Sequence, residues 1–172
     1  MKRILVSLCT VALLFTACTA PVKGKNGVTY KNAVDYNDYI VQKQDNVIKL
    51  IEKFKTVSQG EAQKTDAFLT DATQQVDKII TDVEGMPEWK GSSDMRDKAL
   101  AMFKFYKTIF GDSYKRLVAI SSDGEVTTTE EKEQDDILKK MTDVGTPIED
   151  AFLAAQKEYA SKNNMKLEKK DF

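Results

Sequence analysis

Residues 61–83, EAQKTDAFLTDATQQVDKIITDV, set Thr65, Leu69, Ala72, Val76, Ile79 and Val83 at alternating steps of four and three. Steps of that size return to one side of an α-helix, so these side chains form a stripe, which Phe68 and Ile80 widen. Aspartate, glutamine, lysine and threonine occupy the rest of the surface. A helix patterned in this way buries its stripe only against other helices, and the spacing is that of a bundle seam.

The flanking sequence supplies the partners. Residues 34–57 repeat the pattern with Tyr36, Ile40, Gln44, Val47, Ile51 and Phe54, and Ser58-Gln59-Gly60-Glu61 combines a glycine stop with a capping box, a link so short that it makes the two helices antiparallel. Downstream, residues 85–94 (GMPEWKGSSD) break the periodicity with Gly85, Pro87 and Gly91. A third segment, from Asp94 to Ser122, aligns Met95, Ala99, Met102, Phe103, Tyr106, Phe110, Leu117 and Ile120. After Asp123-Gly124, Thr127 to Glu131 open a fourth segment with seam residues Ile137, Met141, Val144, Ile148, Phe152, Ala155 and Tyr159. Gly145-Thr146-Pro147 falls inside it, yet the spacing passes through without a phase slip, which predicts one kinked helix rather than two. The fold expected is all-α, an antiparallel up-and-down four-helix bundle over residues 34–163, with a frayed tail at 164–172 and no strands.

Composition narrows the chemistry. The chain of 172 residues has no histidine and two cysteines. Without imidazole there is no histidine-based triad, no Cys/His zinc site and no Glu-x-x-His di-iron motif. The acidic run Glu130, Glu131, Glu133, Asp135 and Asp136 lacks the alternation and central glycine of a calcium loop, and negative side chains suit the positive end of a helix dipole. No metal and no cofactor is expected.

The first twenty residues, MKRILVSLCTVALLFTACTA, have a different character. Lys2 and Arg3 precede an apolar run from Ile4 to Phe15 that is too short to span a bilayer, the pattern of a signal peptide. The ending Phe15-Thr16-Ala17-Cys18 resembles the lipobox of bacterial lipoproteins. The resemblance implies that residues 1–17 are removed and that Cys18 is lipidated, leaving no thiol in the mature fold. Loss of Lys2 and Arg3 moves the formal charge from -1 to about -3, a balance that argues against nucleic-acid binding. Residues 18–33, with Pro21, Gly24 and Gly27 and little periodicity, read as the lipidated cysteine and a flexible tether.

Candidate binding residues are aromatic. Phe105 and Tyr114 lie to the side of the third seam and form a candidate surface pair for a partner or ligand, while Trp89, the one tryptophan, sits in the crossover loop as a contact or a lid over the bundle end. Gln44 lies within a seam, within reach of Tyr106 or Tyr159 as a register-fixing hydrogen bond. The seams so defined contain no inward carboxylate, which leaves no acid pair for hydrolysis.

Two stretches, Tyr36-Asn37-Asp38-Tyr39-Ile40-Val41 with Gln44 after it, and Met86-Pro87 followed by Asp94-Met95-Arg96-Asp97-Lys98-Ala99 and Phe105-Tyr106-Lys107, are similar to an uncharacterised family of bacterial surface lipoproteins. The resemblance covers most of the mature chain. It implies a helical fold and the cell envelope, anchored by lipid to a membrane and facing an envelope protein or ligand, and it lends no catalytic residues. The neutral and basic residues from Thr19 to Lys25 depart from lipoproteins exported to the surface by acids after the cysteine, which leaves the periplasmic and surface faces of the outer membrane both open. The expected function is non-enzymatic binding or scaffolding. The alternative is a small-ligand sensor or periplasmic chaperone-like bundle that uses the aromatics of the third helix.

Overall fold

The computed structural model describes residues 8–12, 20–58, 62–122 and 124–170. Its helices are α1 (Ala33–Val57), α2 (Ala62–Glu84), α3 (Asp94–Thr108), α4 (Tyr114–Ser122) and α5 (Thr128–Lys162). A π-helical turn, Ile109–Ser113, joins α3 to α4 as one rod, so the molecule is an all-α four-helix bundle. Cross-links establish that neighbouring rods run antiparallel. Lys43 pairs with Asp82 between α1 and α2, Lys104 with Glu84 and Lys107 with Asp77 between α2 and α3, and Arg116 with Glu133 between α4 and α5. Asn37 on α1 accepts a hydrogen bond from Gln156 on α5 at 2.9 Å, which closes the ring of rods.

Local chemistry sets the helix ends. The Asn32 side chain accepts from the Asp35 backbone N–H at the start of α1. Thr127 and Glu130 form a reciprocal capping box at the start of α5, and backbone and side-chain bonds from Thr127 hold the Glu130 carboxyl below its usual range. Gln59, Gly60 and Glu61 lie outside the described residues. Across that link, the buried Thr65 hydroxyl donates to the Val57 carbonyl at 3.0 Å and ties the start of α2 to the end of α1.

The tether expected at 18–33 is corrected over its described part. Val22–Lys23 (β2) and Thr29–Tyr30 (β3) form a small antiparallel hairpin, and Tyr30 is 1% exposed. The Asn26 side-chain amide donates to the Asp82 carbonyl at 2.9 Å and to the Tyr30 hydroxyl at 2.8 Å, while its backbone N–H donates to the Gly85 carbonyl at 3.2 Å. Carbonyls at a helix C-terminus have no partner within the helix. The hairpin therefore caps α2 with residues from more than fifty positions upstream. Gly24 and Gly85 permit this approach: a Cβ on Gly24 would sit 2.8 Å from the Gly85 carbonyl oxygen, and one on Gly85 would sit 2.7 Å from the Asn26 nitrogen.

The π turn corrects the phase of the third seam. It accommodates one residue more than an α turn, so inward positions after Phe110 fall at Tyr114 and Val118 rather than at Leu117. Ile120 is buried as expected.

In α5, the helix runs unbroken through Pro147, as the uninterrupted spacing indicated. The seam nonetheless differs there, because Val144 is exposed and Gly145 is buried in its place. Gly145 lies under the Phe105 ring, where a Cβ would come within 2.7 Å of two ring carbons. The glycine is a close-packing site between α3 and α5, and its neighbour in sequence points away.

The expectation of no strands and a frayed tail also changes. Lys166–Lys170 (β4) pairs antiparallel with Leu8–Ala12 (β1). This partner strand lies within the segment read as a signal peptide.

Candidate functional site

The largest concentration of aromatic and polar side chains lies at the end of the bundle that carries the hairpin, the 85–93 loop and the start of α1. Tyr36 is its centre. Its ring lies 5.3 Å from Tyr30, 5.5 Å from Trp89 and 5.6 Å from Tyr159, and Tyr30 in turn meets Tyr39 edge-on. Each polar tip in the centre is satisfied. The Tyr36 hydroxyl donates to the Pro87 carbonyl, Tyr159 to the Ala33 carbonyl, and the Trp89 indole N–H to Asn163 Oδ1. Burial, and after it the neighbouring Tyr36, push the Tyr159 hydroxyl far above its ordinary pKa, and burial pushes Tyr30 up to about 12, so both stay neutral at any physiological pH.

Trp89 is thus a lid over the bundle end, 3% exposed. The expected surface pair is corrected. Tyr114 stacks on Phe54 with centroids 4.1 Å apart and meets Phe110 edge-on, and burial raises its phenol pKa, while Phe105 packs over Gly145. Both rings are half-buried and spent on helix contacts. The shift by one residue at the π turn brings Tyr114 inward. Cys18 lies outside the described residues.

Gln44 also has a different partner from those expected. Its amide faces the Met102 sulfur at 3.9 Å, and the register-fixing hydrogen bond of the α1–α5 pair is instead Asn37 to Gln156, both fully buried. The periodicity of α1 left Asn37 out of the seam, although it is 0% exposed.

Glu149 is the site residue that the seam reading missed. It half-buries its carboxylate against α3, where the Tyr106 hydroxyl donates to it at 2.6 Å. Burial raises the Glu149 pKa, the Tyr106 hydrogen bond opposes this, and nearby Asp150 adds to the rise. A single inward acid with a tyrosine donor can hold a proton or a positive group, but it is not the acid pair that glycoside hydrolysis requires. A carboxyl whose folded pKa is raised loses stability as pH rises through that value and regains all of it below the unfolded value. Glu149→Gln is therefore expected to be at least as stable as the native chain at pH 7, with the difference shifting toward the native chain as pH falls through the carboxylate range. Tyr106→Phe is expected to cost about 1.5–3 kcal/mol at pH 7 and less at acid pH, because it strips a charged group of its donor. Urea denaturation of the three proteins at both pH values reads both effects.

The acidic run at the start of α5 is used structurally. Glu130 caps the helix and Glu133 takes the Arg116 guanidinium with two bonds of 2.6 and 2.7 Å. Among the described residues no group of three or more histidine, cysteine or acidic side chains is arranged to hold a metal ion. Comparison with family models, with curated proteins and with solved structures found no match for this chain.

Proposed function

We propose that this chain is a bacterial envelope lipoprotein, held on a membrane by acyl chains on Cys18, whose helical bundle binds or scaffolds another envelope component without catalysis. The observation that carries the reading is Phe15-Thr16-Ala17-Cys18 at the end of a short apolar run with Lys2 and Arg3 before it. A lipidated cysteine gives such a bundle a lasting hold, since each buried methylene contributes about 0.8 kcal/mol and two or three chains act together. No helix among the described residues is long and apolar enough to cross a membrane. The non-catalytic part of the reading rests on the lack of histidine in the whole chain. The likeness to surface lipoproteins in Tyr36-Asn37-Asp38 and Phe105-Tyr106-Lys107 supports the same location.

Radiolabelled palmitate is expected to enter the native chain and not Cys18→Ala, and the mass of the purified native protein should begin at an acylated Cys18. Equal labelling of both proteins would remove the anchor. Pull-down from native membranes with the anchor intact then identifies the bound component.

A further inference from the structure

We propose that the hairpin end of the bundle rests directly on anionic lipid headgroups, with Lys23, Lys25, Lys31 and Lys90 as its contacts. The inference rests on the reading of Cys18 as the anchor and turns on how little chain separates that anchor from folded structure. The first strand of the hairpin begins at Val22. Three residues, Thr19, Ala20 and Pro21, separate it from Cys18, and even fully extended the four Cα–Cα steps from Cys18 to Val22 span no more than ~14 Å. A sixteen-residue tether would let the bundle tumble well clear of the bilayer. A three-residue one does not.

What the hairpin touches therefore also lies near the membrane. Gly24 packs against Pro87, Asn26 bonds to Asp82 and Gly85, and Tyr36 bonds to Pro87, so the 85–93 loop is fixed beside the hairpin. At its tip Lys90 holds a left-handed conformation, φ 50°, between Trp89 and Gly91. Lys23, Lys25, Lys31 and Lys90 are all exposed, and among the described residues none of them has an ion-pair partner. The neighbouring acids are largely engaged: Asp82 with Lys43, Glu84 with Lys104, and Asp97 with Arg96. Asp38, Glu88 and Asp94 are exposed, and Asp35, whose carboxylate accepts the Lys31 backbone N–H at 3.0 Å, lies beside them, so these acids offset the four lysines in formal charge. Lys98, exposed near the start of α3 and with no ion-pair partner among the described residues, leaves the tip about one charge positive on a mature chain that is acidic as a whole. Lysines held within a Debye length of a bilayer, about 10 Å at 0.1 M salt, are drawn to phosphate-bearing headgroups, and free lysines on the far end would feel nothing.

Trp89, the chain's one tryptophan, lies in this same loop and reports on it. The processed, acylated protein is reconstituted in vesicles of phosphatidylcholine alone or mixed with phosphatidylglycerol, each doped with a lipid carrying a nitroxide on its headgroup. Quenching of Trp89 is expected to be about twofold stronger on the anionic vesicles at low salt and to fall to the neutral-lipid level at high salt. Replacing the four lysines together by glutamine, or by glutamate, is expected to abolish the difference while leaving the thermal midpoint in place, since these side chains have no partners to lose. Equal quenching on both lipids, or a difference that survives the lysine replacements, overturns the proposal while palmitate incorporation keeps the anchor. Loss of palmitate incorporation in the native chain overturns the anchor and this inference with it.

Discussion

Tyr36→Ala is expected to lower the unfolding free energy by about 3–5 kcal/mol, the cost of deleting a buried aromatic ring and leaving its cavity. Tyr36 is 1% exposed and is the one ring that touches Tyr30, Trp89 and Tyr159 together, so its neighbours cannot collapse into the gap without giving up contacts with one another. Its hydroxyl is a smaller part of the effect. Tyr36→Phe keeps the ring and loses the hydrogen bond to the Pro87 carbonyl, for about 1 kcal/mol. Domains of this size have only about 5–15 kcal/mol of net stability, so the alanine variant stands near the limit of folding. Urea denaturation followed by far-ultraviolet circular dichroism, with Trp89 emission as a second probe, measures both variants. A cost for Tyr36→Ala of less than 1 kcal/mol would mean that the aromatic end is not packed as described.

Removing the hairpin is expected to cost about as much. A chain that starts at Asn32 loses the buried Tyr30 ring and the Asn26 bonds to Asp82 and Gly85, together about 4–6 kcal/mol relative to a chain that starts at Ala20. It also uncovers one face of Tyr36. Asn26→Ala separates the cap from the ring and should cost about 1–2 kcal/mol by itself, comparable to the loss of other helix caps. Equal stability of the two fragments would restore residues 20–31 to the role of a passive tether.

The two results test the part of the molecule that was hardest to read. Periodicity identified the four rods because a helical stripe depends on residues three and four apart, as in Leu69, Ala72, Val76 and Val83, all now buried. Capping was legible for the same reason, with Thr127 and Glu130 three residues apart. The hairpin carried no such signal. Its glycines suggested flexibility, whereas Gly24 and Gly85 are there because a side chain on either would collide with the other segment. Gly145 was read only as part of the kink at Pro147, whereas the Phe105 ring needs its bare surface. The candidate aromatic pair failed for a different reason. A single extra residue in the π turn rotates everything after it, and this moves Tyr114 from the flank to the Phe54 contact.

The sequence by itself determined the four rods, the capped start of α5, the antiparallel order and the absence of imidazole chemistry, all of which follow from composition or from near neighbours in the chain. Only the tertiary structure decided which polar groups pair inside the bundle and what becomes of the aperiodic segment before α1. Asn37 meets Gln156 across 119 positions, Tyr106 meets Glu149 across 43, and Asn26 meets Asp82 across 56. A buried polar group must find a partner wherever the packed chain brings one within about 3 Å, and that distance is fixed by the assembled bundle rather than by any local run of residues.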